Sequence, residues 1–214
     1  MAALLIRVPL ARLHSRGART AAALVGFAVA SLISSSASAH LGTGLAGGFV
    51  SGFTHPLGGL DHLLAMVSVG LWGAFLGPPL IHVLPVVFPA MMVCGAILAM
   101  FGVPLPPVEL GIAASVLVLG GCIALSFKAP VWAASLIVAV FAVFHGYAHG
   151  KELPSAADPA SYSAGFVLAT GLLHVSGIGI GLLNRRPKGA LAIRGLGGVI
   201  ALTGIWFLYR ALGT

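Results

Sequence analysis

The tightest constraint on this chain is a succession of apolar stretches at about 43–54, 60–76, 84–103, 110–127, 131–148, 162–183 and 195–212, separated by proline, glycine or charge. All but the first are close to the roughly 17–25 residues that a helix needs to cross a bilayer core. Between them lie only four acids in 214 residues, Asp61, Glu109, Glu152 and Asp158, and charged residues make up 7% of the chain against 59% hydrophobic. So few polar anchors cannot clothe a soluble surface. Helices satisfy their own backbone in lipid, so the expected fold is an all-α polytopic membrane protein.

The first 39 residues stand outside that fold. Arg7, Arg12, Arg16 and Arg19 precede the apolar stretch Ala21–Ile33, and Ala37-Ser38-Ala39 follows as a small-residue cleavage box, which is the grammar of a signal peptide. No two of these arginines are adjacent, which favours the general secretory route over the twin-arginine one. The expected division is a signal peptide over 1–39 and an integral membrane domain over 40–214, with His40 as the mature N-terminus and an uncleaved anchor as the alternative. Removing the leader leaves seven basic residues against four acids, so the basic balance reports leader and topology and no nucleic-acid partner is expected.

The first apolar stretch is too short to span. Joined to the second it exceeds thirty residues, about 50 Å of helix. Pro56 and Gly58-Gly59 break that run, so 43–59 is read as a short re-entrant or interfacial segment packed through Gly44, Gly48 and Gly52, followed by six transmembrane helices. Basic residues favour the cytoplasmic side. With the mature N-terminus outside, six crossings place Lys128 and the cluster Arg185, Arg186, Lys188 and Arg194 inside, whereas seven would put that cluster outside. The same count brings the start of 60–76 and the end of 131–148 to the outer face.

Those two ends carry most of the ionisable side chains. One segment reads His55-Pro-Leu-Gly-Gly-Leu-Asp61-His62, the other Phe144-His145-Gly-Tyr-Ala-His149-Gly-Lys-Glu152. His145, His149 and Glu152 fall on one helical stripe, and the glycines let the backbone turn so that Asp61 and His62 face inward together. Imidazole with carboxylate suits nickel, zinc, cobalt or copper, and ligand type alone does not rank them.

Both segments resemble, without a substitution, the two signature motifs of the HupE/UreJ nickel permeases. The resemblance extends over the mature chain, including the leader and the six-helix plan. It implies uptake of nickel across the bacterial inner membrane in support of hydrogenase or urease maturation, with no catalysis and no prosthetic group. It implies metal-handling roles for His55, Asp61, His62, His145, His149 and Glu152. Nickel is then the transported substrate, with cobalt and zinc as open alternatives, and homo-oligomerisation is left open.

Other residues receive secondary readings. His174, midway along 162–183, is a candidate next stop for the ion, and His40 can chelate through its amine and imidazole if the leader is cleaved. His82 reads as a solvated loop residue, and Cys94 and Cys122 as packing. Gly177-Ile-Gly-Ile-Gly181 reads as close helix packing, since it lacks the lysine of a phosphate loop. The long outer loop near 149–161, with Glu152, Pro154 and Asp158, is a candidate lid. Two rival classes remain: an intramembrane metal-dependent hydrolase or hydroxylase, and a b-type haem electron carrier.

Overall fold

A computed structural model of the chain describes residues 45–152 and 158–213; the leader, His40 and residues 153–157 fall outside them, and the two ends of the expected 149–161 loop are helical instead. Among the described residues there are seven α-helices and no strand. They are α1 (Leu45–Gly58), α2 (Leu60–Leu76), α3 (Leu80–Met100), α4 (Val108–Ala124), α5 (Val131–Glu152), α6 (Pro159–Gly181) and α7 (Pro187–Leu212), with a short 3-10 turn at Leu182–Arg185.

Six of these coincide with the six stretches expected to span. By length and apolarity α3, α5, the α6 run to Arg185 and α7 each qualify as a membrane crossing, and α1 with α2 qualify together as one bent unit. Helix α4 has 17 residues, at the lower limit for a span. The surface agrees with a bilayer setting: Val86, Leu136, Leu172, Leu202 and Trp206 are exposed, while His145, His149, His174, Ser68, Ser115 and Thr170 are buried. Apolar outside and polar inside reverses the pattern of a soluble bundle.

Two details correct the sequence reading. Pro56 does not break the lead-in but sits within α1. The break falls at Gly59, the extended N-cap of α2, and the two axes meet at 83°. A proline near a helix end costs one backbone hydrogen bond, whereas the turn itself demands a residue without a side chain in the way. A Cβ on Gly59 would press on the Asp61 carboxylate and the His62 ring. His82 is not in a loop either. It is an exposed residue in the first turn of α3, because Pro79 starts that helix.

Small residues set the helix pairing, as membrane helices without a hydrophobic drive between them require. Helix α3 packs chiefly on α5, α4 on α7, and α6 on both α1 and α2. A Cβ on Gly52 would run into the Tyr162 carbonyl, one on Gly177 into the Val67 carbonyl and one on Gly146 into the Met92 carbonyl. The expected packing through Gly48, Gly52, Gly177 and Gly181 is thus observed, while Gly179 faces open space.

The helices are tied together by side chains at one end of the bundle. Trp72 Nε1 donates to the Phe127 carbonyl at 3.1 Å and Arg194 Nε to the Ala124 carbonyl at 3.1 Å. This end therefore holds Arg194 and the loop carrying Lys128, opposite the end where α2 begins and α5 finishes. Trp72→Phe should lower the stability of the purified protein by about 1 kcal/mol, seen as a Tm drop of roughly 2–4 °C in a thermal scan.

Candidate metal site

The two motif-bearing segments meet. His55 comes from the last turn of α1, Asp61 and His62 from the first turn of α2, and His145 and His149 from successive turns near the end of α5. The bend at Gly59 turns α2 away from α1, yet His55 of α1 and His62 of α2 both come to rest against the histidines of α5. Ring centroids lie 4.7 Å apart for His62 and His145, 4.7 Å for His62 and His149, and 4.8 Å for His55 and His149. Phe166 of α6 closes one side at 4.4 Å from His149.

Hydrogen bonding assigns the ring nitrogens. Asp61 Oδ1 lies 2.8 Å from both the backbone nitrogen and Nδ1 of His62. As an ionised carboxylate it only accepts, so His62 Nδ1 carries the proton and donates. Nε2 of the same ring is buried and makes no hydrogen bond.

The logic repeats at His145. Ser115 Oγ donates to the Ile112 carbonyl at 2.6 Å and lies 3.0 Å from His145 Nε2. A hydroxyl has a single proton, and Ile112 takes it, so His145 Nε2–H must donate to Ser115. His145 Nδ1, buried and without a hydrogen-bond partner, keeps its lone pair. Two neighbouring imidazoles are thus each anchored through one nitrogen and open at the other. This is how proteins prepare histidine for a metal, with a hydrogen bond on the far nitrogen fixing the tautomer.

The rings stand edge-to-face, and among the described residues no three His, Cys, Asp or Glu side chains form a ready-made metal cage. Nitrogen donors bind such ions at about 2.0–2.1 Å, so capture of an ion requires the imidazoles to rotate until their open nitrogens converge. Room exists beside them. A cavity of about 370 Å³ between α3, α5 and α6 reaches His149 and is otherwise lined mostly by apolar side chains such as Met92, Met100, Tyr162 and Phe166.

Of the residues expected from the sequence, the structure gathers His55, Asp61, His62, His145 and His149. Asp61 acts on His62 as an orienting acceptor. Glu152 is the last residue of α5. His174 stands apart from the cluster, and His40 lies outside the described residues. Ser115 was missed, because a lone serine in an apolar helix carries no signal at sequence level; only its place opposite His145 gives it a role. Cys122 of α4 is a half-buried free thiol packed against the core, as expected, whereas Cys94 of α3 is exposed and does not pack inside the bundle.

The family described as HupE / UreJ protein matches residues 18–207 of the chain. The chain is also 42% identical over 167 residues to Protein HupE of Rhizobium leguminosarum bv. viciae, an alignment covering 78% of this chain and 87% of that protein. No solved structure matches it.

Proposed function

The chain belongs to the HupE/UreJ family, and from that premise we propose that it is a permease that takes up divalent nickel across the bacterial inner membrane for hydrogenase or urease maturation. The observation that carries this reading is the pair of anchored imidazoles, His62 and His145, each buried with one nitrogen open and their ring centroids 4.7 Å apart. His55 and His149 complete the donor set, with Glu152 as an additional carboxylate ligand and His40 as an outermost chelator on a mature chain. Borderline nitrogen donors suit nickel, with cobalt and zinc as competitors.

The orientation follows from charge. The end bearing Arg194 and Lys128 faces the cytoplasm by the positive-inside rule, so the imidazole cluster and the mature N-terminus are periplasmic and six helices cross the membrane. Two positive charges moving inward gain roughly 4.6 kcal/mol per 100 mV of membrane potential. That drive is sufficient without nucleotide hydrolysis, and the sequence has no Walker-type phosphate loop.

Accumulation of radioactive nickel by cells expressing the protein, against cells carrying empty vector, tests the proposal. Uptake should exceed the vector level, fall when the membrane potential is collapsed, and withstand a tenfold excess of cobalt or zinc better than an equal excess of unlabelled nickel, the excess being set by the ~1.4 kcal/mol that a tenfold preference represents. Vector-level accumulation with the protein present in the membrane sinks the transport reading.

A further inference from the structure

A second buried imidazole lies deeper in the bundle. His174 is two turns beyond Phe166 on α6, roughly 12 Å along the axis, towards the end that holds Arg194. It is 1% exposed, and Gly70 of α2 admits its backbone carbonyl at close range. Its ring faces the Pro85 carbonyl, which Pro89 cannot serve because proline has no N–H, but neither ring nitrogen closes a well-formed hydrogen bond.

Phe88 of α3 connects this histidine to the cluster. It is fully buried, with its ring centroid 5.5 Å from His145 and 5.4 Å from His174. One turn outward from His174, the Thr170 hydroxyl donates to the Met66 thioether at 3.5 Å, so the α2–α6 seam between the two levels holds soft and polar donors in an otherwise apolar core. A histidine buried at this depth is expensive to keep. It serves either an ion or the stranded Pro85 carbonyl.

We propose that His174 is an inner ligand for the moving ion, and that Phe88 is the gate between it and the His62–His145 pair, swinging aside to pass the ion inward. The proposal rests on the permease reading and adds to it an ordered second station and a hydrophobic barrier. Without the barrier, the two levels would merge into one wet, unselective channel.

The test compares uptake per unit of membrane protein in His174→Cys and His174→Asn, with wild type as reference. Cysteine can ligate nickel but caps a carbonyl poorly, whereas asparagine caps it but is a poor ligand. His174→Asn should lose uptake by about tenfold or more while the purified protein still binds nickel in equilibrium dialysis, and His174→Cys should retain several-fold more uptake than Asn. Uptake in Asn equal to or above that in Cys overturns the inner ligand. Phe88→Leu, which thins the barrier while keeping an apolar core residue, should speed initial uptake several-fold with nickel binding unchanged. An unaltered or slower rate overturns the gate. Absence of uptake in the wild type itself would instead overturn the permease reading.

Discussion

Cells expressing His149→Ala should accumulate roughly 100-fold less radioactive nickel than cells expressing the unaltered protein, at equal membrane abundance. His149 is the hub of the cluster, with its ring beside His55, His62 and Phe166 and on the wall of the cavity between α3, α5 and α6. Loss of an orienting contact beyond a metal's ligands already costs about 10–100-fold in affinity, and loss of a donor nitrogen should cost at least the upper end of that range. The fold should survive, since α5 keeps its contacts with α3 through Gly146 and Gly95. Abundance on a membrane blot and the thermal midpoint of purified protein check this. Uptake within threefold of wild type would remove His149 from the path, because even one weak ligand contact is worth about that much. Its neighbour His145 supplies an internal comparison. Ser115→Ala should weaken nickel binding by about tenfold, leaving both imidazoles present but His145 unanchored.

Gly146→Val should be severely damaging. A Cβ at this position would occupy the space of the Met92 carbonyl, and the same holds at Gly95 against the Val143 carbonyl. Backbone cannot move aside as a flexible side chain does, so α3 and α5 must separate along their whole contact. Overpacking of a close-packed interface costs about 1–3 kcal/mol, and a backbone clash belongs at the top of that range. Because α5 carries His145 and His149 on either side of Gly146, the same displacement pulls both rings from His62. Membrane abundance should fall severely, and the fraction that remains should bind nickel far more weakly than wild type. Gly121→Val is the matched control, since a Cβ there meets nothing within 4 Å, and it should be close to neutral. Equal behaviour of the two variants would contradict the packing described for the α3–α5 pair.

Much of this was legible before any coordinates. The apolar lengths locate α2 through α6 to within about four residues and the end of α7, although α7 begins eight residues earlier than expected, at Pro187. The residues of His55-x5-Asp61-His62 and of the Phe144–Glu152 segment single out a candidate site, because imidazoles and carboxylates bordering apolar runs are costly to keep there. The misreadings were local. Of the expected break at Pro56 and Gly58-Gly59, the glycine makes the turn, while Pro56 stays helical because its missing N–H costs little at the last turn. His82 was read as loop because the two prolines before it suggested one, yet Pro79 served as the helix start.

Length and polarity are properties of the chain taken one segment at a time, so the sequence by itself determined that the protein is helical, that it belongs in a bilayer and which side chains are worth burying. What each of those side chains does depends on partners distant in sequence. The proton positions on His62 and His145 come from Asp61 and from Ser115, the latter thirty residues away on another helix. The close approach of α5 to α3 depends on which carbonyl lies over Gly146, and the link from His145 to His174 runs through Phe88 on a third helix. Hydrogen bonds and ring contacts act over a few ångströms and are blind to sequence separation, so only the packed tertiary structure could decide which imidazole nitrogens were left open for a metal.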